Sequence, residues 1–172
     1  MSDIEDLTEE EIKEIKEFYP PFIAKKMIEL TDEINNRKPT HIDDFYRLHL
    51  AIWKISNKSY QEEYWGKQGQ WGDNYMETME TFLGTGEAVL DTSDYAVEMT
   101  PKQREMLQKL YTMLDDFDGD GDSADDPGYG INDAAIIEDP KFDECRRYAR
   151  LVYEELSGDD LDSWEKSRSI KP

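Results

Sequence analysis

The segment HIDDFYRLHLAIWKIS, residues 41–56, is the part of the sequence that most restricts how the chain can fold. Largely apolar residues recur every three or four positions on one side of a helix, and a second set makes the opposite side apolar too. The first set is Ile42, Phe45, Tyr46, His49, Ile52 and Trp53, and the second is Leu48, Leu50, Ala51 and Ile55. A helix that is apolar all round has to be covered by other elements. We therefore expect a central helix here.

Capping residues mark the ends of several further helices. Thr8 with Glu11 forms a capping box, and Thr100-Pro101 and Asp139-Pro140 each place a capping side chain before a proline at the first helical position. Together with apolar residues at helical spacing, these residues predict helices near 8–19, 22–34, 100–117 and 140–157. Gly158 is the expected end of the last of these helices.

The middle of the chain is less regular than its two ends. A short helix from Tyr75 is expected to stop at Gly84, and residues 85–99 are compatible with a helical turn or with a short extended piece. No alternating strand pattern of useful length is present. The sequence therefore predicts an all-α fold with five or six helices. We expect a single compact helical domain over residues 1–158 and a polar C-terminal tail over residues 159–172.

The charge of the chain limits its partners. Forty-one acidic and twenty basic residues give a net charge of −21, and the aromatic share of 12% distinguishes the chain from disordered acidic proteins. Such a surface repels nucleic acid and anionic membranes, and it attracts cations or basic proteins. The chain has one cysteine, no apolar run long enough to cross a bilayer, and no signal-peptide pattern at its start. We expect a cytoplasmic protein.

The densest run of acidic residues is DDFDGDGDSADDPGYG, residues 115–130. A calcium loop is one interpretation, with Asp116, Asp118, Asp120 and Asp122 at alternate ligand positions. Ser123 and Pro127 then stand where a helix–loop–helix site has an inward-packing residue and a bidentate Glu, so only half of the pattern is present. An exposed acidic loop near residues 115–133, with no metal, is the alternative. The sequence indicates no cofactor apart from calcium, which is the single candidate.

No arrangement of residues typical of an active site is visible. His49 lies on an apolar helix face, which favours a buried histidine over a catalytic or metal-binding one. Cys145 lies within the apolar stripe of the helix after Asp139, so we expect it to be a small core residue. The basic group Arg146, Arg147 and Arg150 lies among acidic residues and is expected to form ion pairs along that helix. We do not expect an enzyme.

The sequence favours binding to a basic protein partner such as a toxin domain. The expected contact residues are Asp115, Asp116, Asp118, Asp120, Asp122, Asp125 and Asp126, with Tyr129 as an aromatic anchor. In one hypothesis the chain is an immunity- or antitoxin-like inhibitor of a basic toxin, for example a nuclease. A calcium-binding protein and a decoy that imitates nucleic acid remain alternatives.

A partial resemblance supports the inhibitor hypothesis. The run KPTHIDDFYRLHLAIWKISN and the preceding PFIAKKMIELTDEI, residues 22–57, resemble the opening helices of a family of small uncharacterised bacterial helical proteins. The matching positions are Lys38, Pro39, Thr40, Asp43, Asp44, Tyr46, His49 and Asn57. Members are similar in style to immunity proteins, which protect a bacterium from its own or a neighbour's secreted toxin. The resemblance implies a toxin-binding role and brings no active-site residues.

Overall fold

Helices make up every regular element in the part of the chain that the structure describes. The computed structural model describes residues 8–33, 41–65, 75–91, 99–118 and 133–169. The helices are α1 (Glu9–Phe18), α2 (Pro21–Glu33), α3 (His41–Ser56), α4 (Lys58–Tyr64), α5 (Tyr75–Asp91), α6 (Pro101–Asp118), α7 (Asp133–Ile137), α8 (Pro140–Ser157) and α9 (Leu161–Ser169). The prediction of an all-α fold is confirmed.

Four long helices, α3, α5, α6 and α8, form a four-helix bundle. Both α3 and α6 pack against α5 and α8, so α3 and α6 lie on one diagonal of the bundle and α5 and α8 on the other. At the start of α6, Arg104 donates to the Leu90 carbonyl near the end of α5, and Gln103 donates to the Glu155 carbonyl near the end of α8. Helix α6 is therefore antiparallel to both neighbours, and α5 and α8 run in the same direction.

The central position of α3 is confirmed. It also contacts α2 and α4, and the side chains of Leu48, Ile52 and Ile55 are fully buried. Most of the predicted helix ends are also found. Thr8 makes the capping box with Glu11, Thr100 exchanges hydrogen bonds of 2.9 and 3.1 Å with Gln103, and Asp139 accepts from the backbone N–H of Lys141. Gly158 ends α8 with a φ of 80°.

The sequence predicts that the helix from Tyr75 stops at Gly84, and this prediction is wrong. Helix α5 continues to Asp91. Phe82 and Val89, one on each side of the two glycines, are buried in the bundle, and Gly86 lies against the ring of Tyr111. A glycine inside a helix costs about 1 kcal/mol, which is less than the burial of two large apolar side chains contributes. Packing against α3 and α6 therefore carries the helix through both glycines. Residues 85–91 are helical, and residues 92–98 lie outside the described ranges.

Three short helices, α4, α7 and α9, bring the number of helices in the described ranges above the predicted five or six. The last of them falls in the predicted polar tail. Leu161 is fully buried there, and Trp164 is 8% exposed with its ring 6.2 Å from that of Trp53 on α3. Asp160 starts α9 by accepting from the backbone N–H of Ser163. Residues 161–169 are thus a helix docked on the bundle.

Candidate functional site

The predicted acidic docking residues are only partly within the described ranges. Asp115 and Asp116 are exposed, and α6 continues through Asp118, so these residues are helical and the predicted loop cannot begin before residue 119. The other predicted contacts, Asp120, Asp122, Asp125, Asp126 and Tyr129, lie outside the described residues, as does the side chain of Asp118. In the described part of the chain no group of three carboxylate, His or Cys side chains could hold a metal ion. The calcium hypothesis stays a prediction.

A second acidic surface lies on α5. The helix has the sequence YMETMETFLGTGEAVLD, with four acidic residues and no Lys, Arg or His. Glu77, Glu80 and Glu87 are exposed and share one side of the helix, because they are three and seven residues apart. Glu87 lies ten positions after Glu77, so the row is about 15 Å long at the α-helical rise. The opposite side of α5, with Met79 and Phe82, is buried in the bundle.

Tyr111 connects this row to the acidic end of α6. Its ring lies 6.2 Å from that of Phe82 on α5. Burial raises the pKa of Tyr111, and the negative charges of Glu87 on α5 and Asp115 on α6 raise it further. Carboxylates from both helices therefore raise the pKa of the same hydroxyl group. We call these residues together, Glu77, Glu80 and Glu87 of α5 with Asp115 and its exposed neighbour Asp116 on α6, the α5–α6 acidic face.

The position of Asp115 and Asp116 is unfavourable for the isolated helix. Carbonyl groups give the C-terminal end of a helix a partial negative charge, and α6 has no basic residue in its last turn. Acidic residues near that end cost stability, where a basic residue would contribute it. A positively charged partner would reverse this cost.

His49 and Cys145 both occupy core positions, as the sequence predicts. His49 is fully buried, stacked on Phe22 with ring centroids 4.3 Å apart. Cys145 is 4% exposed, and its thiol donates to the Met113 carbonyl at 3.9 Å. Burial raises the pKa of this thiol to about 11, with a smaller contribution from the negative charge of Glu144. A thiol with this pKa is protonated at neutral pH and is a poor nucleophile.

Arg146 is the residue whose role sequence reasoning missed. It is 5% exposed, and it donates from Nε and Nη2 to Oε1 of Gln61 and from Nη2 to the Ile137 carbonyl. Gln61 in turn donates from Nε2 to the carbonyls of Lys54 and Ile55 in the last turn of α3, at 2.8 and 2.7 Å. The pair ties α3, α4, α7 and α8 together. The sequence signal for its burial is that residue 146 falls within the apolar stripe of α8.

The neighbouring arginines follow the prediction in part. Arg146 and Arg147 both form ion pairs with Asp143 along α8, at 2.6 and 2.9 Å, which confirms the expected arrangement. Arg150 instead reaches α9, where it pairs with Glu165 and Asp162 at 2.8 Å each. Through these ion pairs, the charged side chains of α8 stabilise the fold.

The residues that carry the resemblance have structural roles where they are described. Tyr46 is half-buried, and burial raises its pKa to about 12. His49 is buried in the core, and Asn57 caps α4 by accepting from the backbone N–H of Tyr60 at 3.1 Å. Lys38, Pro39 and Thr40 lie outside the described residues, and so do the side chains of Asp43 and Asp44.

Comparison with protein-family models, with curated proteins and with solved structures gave no match for this chain. Among the helices of the described ranges, none has the length and apolar character needed to span a membrane.

Proposed function

We propose that the chain is a protein-binding protein that uses the α5–α6 acidic face to bind a basic partner. In this proposal it acts as an immunity- or antitoxin-like inhibitor of a basic toxin such as a nuclease. The observation that supports the proposal is the composition of α5, whose exposed carboxylates are accompanied by no basic residue on that helix. Complementary charge steers association and sets the orientation of two partners more than it adds affinity.

The stability of the fold does not explain why carboxylates are concentrated on the α5–α6 acidic face. The net charge of −21 already repels itself within the fold, and each added carboxylate increases that repulsion. The acidic residues at the end of α6 also oppose the helix dipole. A surface that costs stability in the isolated chain is expected where the charge acts on another molecule.

Inhibition of one partner is better supported than imitation of nucleic acid. One strand of duplex DNA places a phosphate about every 3.4 Å along the helix axis. The row on α5 has three exposed carboxylates over about 15 Å, and six residues without a carboxylate separate Glu80 from Glu87. A phosphate-like surface would have four or five evenly spaced charges over that length, by the same spacing.

Catalysis has little support in the described residues. His49 and Cys145, the two side chains best suited to acid–base or nucleophilic chemistry, are both buried in the core. Neither lies on the α5–α6 acidic face. We therefore propose binding without chemical turnover.

The proposal can be tested with a panel of basic bacterial toxin nuclease domains, each expressed in a bacterial host with and without this chain. We expect at least one domain to lose its toxicity and to form a stoichiometric complex with the purified chain. A face variant then neutralises four carboxylates, and a control variant neutralises four exposed carboxylates elsewhere. The face variant carries Glu80→Gln, Glu87→Gln, Asp115→Asn and Asp116→Asn, and the control carries Glu9→Gln, Glu10→Gln, Glu62→Gln and Glu144→Gln.

Stopped-flow association at 20 and 500 mM salt separates the two variants. The face variant should associate at least about tenfold more slowly at low salt and should show a flatter salt dependence, because steering by this surface is lost. The control variant, with the same net charge, should stay close to the unmodified chain. Equal slowing in both variants would assign the effect to net charge, and failure to bind any basic domain would overturn the proposal.

A further inference from the structure

Two depressions of the surface meet at Phe18, at the C-terminal end of α1. The smaller has a volume of about 250 Å³ and is lined by four aromatic rings, from Phe18, Trp53, Tyr60 and Tyr64, together with Glu63 and the polar Asn57. The larger, of about 660 Å³, runs along α1, where its described lining includes Glu11, Glu14 and Glu17. We call the smaller one the aromatic groove. None of these residues belongs to the α5–α6 acidic face.

The rings of the aromatic groove pack against one another. Tyr60 and Tyr64 have centroids 4.8 Å apart, and the Phe18 ring stands edge-on to them at 6.3 and 5.9 Å. Trp53 forms the buried base of the groove, with its ring 5.5 Å from that of Tyr60. Trp53 is buried, whereas Phe18, Tyr60 and Tyr64 are half-buried and keep part of their surface accessible. The accessible rings can therefore contact an incoming group.

The size and chemistry of the aromatic groove favour one cationic side chain. Small-molecule pockets usually measure about 300–1,000 Å³, so this groove suits a single side chain better than a whole cofactor. Aromatic faces attract cations, and Lys54 Nζ lies over the Tyr60 ring, 5.6 Å from its centroid. Phe18 and Tyr64 are therefore the rings that we assign to an incoming cation. Glu63 in the lining adds a negative charge. A guanidinium group fits best, because it is planar, stacks on rings and is less strongly hydrated than an ammonium group.

The second depression supplies the rest of the binding surface. Its three glutamates follow α1 at three-residue intervals, beginning where the aromatic groove ends at Phe18. A chain that placed an arginine in the groove would therefore pass its neighbouring residues over carboxylates. Basic residues next to that arginine complement this lining.

We propose that these two depressions together bind a basic peptide segment of a protein partner, with an arginine side chain in the aromatic groove and adjacent lysines along α1. The site is formed by α1, α3 and α4. It therefore goes beyond the proposed function, which rests on α5 and α6.

The test uses two synthetic peptides, acetyl-Gly-Arg-Lys-Lys-Gly-amide and the same peptide with citrulline in place of arginine. Citrulline keeps the shape and removes the charge of the guanidinium group. Binding is followed by NMR chemical-shift titration of the full chain. We expect the arginine peptide to bind at least about fivefold more tightly, and to shift resonances of Phe18 and Tyr64, because cation–π contact requires the charge.

Matched variants locate the site. Glu63→Gln should weaken binding of the arginine peptide about threefold, while Glu62→Gln, at an exposed neighbour outside the groove lining, should leave it unchanged. Tyr64→Ala should remove the preference for arginine over citrulline, with circular dichroism used to check that the variant is folded. The face variant with substitutions on α5 and α6 should bind the peptide normally, so the two proposals fail independently.

Three results would overturn the proposal. The first is the absence of binding of the arginine peptide at 5 mM. The second is equal affinity for the citrulline peptide. The third is an equal loss in Glu62→Gln and Glu63→Gln, which would show attraction to the net charge of the chain and no specific groove.

Discussion

Helices α5 and α8 lie at opposite corners of the bundle and run in the same direction, but they use charge in different ways. Helix α8 has four acidic and four basic residues, and α5 has four acidic residues and no basic residue. On α8, Arg146 and Arg147 pair with Asp143, Arg150 holds α9, and Glu155 accepts from Lys102 of α6. Helix α5 exposes Glu77, Glu80 and Glu87 as a row.

The charged side chains of α8 therefore stabilise the fold through ion pairs, whereas the three carboxylates of the row on α5 are exposed to solvent. The charged groups of α8 connect α4, α6, α7 and α9 to one helix, so changing them is expected to alter stability. Glu80 and Glu87 of α5 lie on the side away from the bundle core, and changing these two residues is expected to alter binding and to leave the fold intact. Variants of the two helices test that distinction.

The largest effect is expected for Arg146→Met. Losing a buried charged group leaves Gln61 Oε1 and the Ile137 carbonyl without its hydrogen bonds, which should cost about 3 kcal/mol of unfolding free energy. Urea unfolding followed by circular dichroism measures this cost. Arg147→Met is the matched control, because Arg147 pairs with the same Asp143 but is 82% exposed, and its loss should cost no more than about 0.5 kcal/mol. Equal costs would show that burial of Arg146 contributes little.

An intermediate effect is expected from Cys145 at alkaline pH. Burial raises the thiol pKa from 9.0 to about 11, so between these values the unfolded chain loses a proton that the folded chain keeps. Stability should therefore fall as the pH rises through this window, by roughly 1 kcal/mol after allowance for solvent screening. Cys145→Ala should show a shallower decline between pH 9 and 11 in urea unfolding. Parallel curves for the two proteins would contradict the raised pKa.

The two glycines of α5 should respond differently to alanine. Gly84→Ala adds a Cβ with no atom within 4 Å and should stabilise the helix by about 0.5–1 kcal/mol. Gly86→Ala places its Cβ 3.3 Å from Cδ2 of Tyr111, so the ring must move and the gain should be cancelled or reversed. Thermal unfolding of both variants measures the difference. A destabilised Gly84→Ala variant would contradict an open outer side of α5 at this position.

The smallest effect is expected for the double variant Glu80→Gln, Glu87→Gln. Removing two carboxylates from a strongly acidic chain should raise the melting temperature by on the order of 1 °C at low salt, and the rise should vanish at 0.5 M salt. Asp162→Asn, which loses an ion pair with Arg150, should instead lower the melting temperature slightly. A clear loss of stability in the double variant would assign these glutamates to the fold.

Much of the fold could be predicted from the sequence, because local patterns dictate helix ends and apolar sides. The caps at Thr8, Thr100 and Asp139 and the glycine at 158 are as expected, and so is the burial of α3. The candidate site was predicted less well. The sequence predicts Asp115 and Asp116 as contacts but does not predict the row on α5, since spaced single glutamates do not form a conspicuous run in a sequence.

By itself the sequence determined the all-α class, the net negative charge and the buried positions of His49 and Cys145, because periodicity and composition are local properties of the chain. Only the tertiary structure decided that α5 continues through Gly84 and Gly86, that residues 161–169 dock as α9, and that Arg146 is buried against Gln61. In each case contacts between residues distant in the chain outweigh a local preference. The packing of α6 against α5 also brings the charges of Glu87 and Asp115 to bear on the same tyrosine, Tyr111.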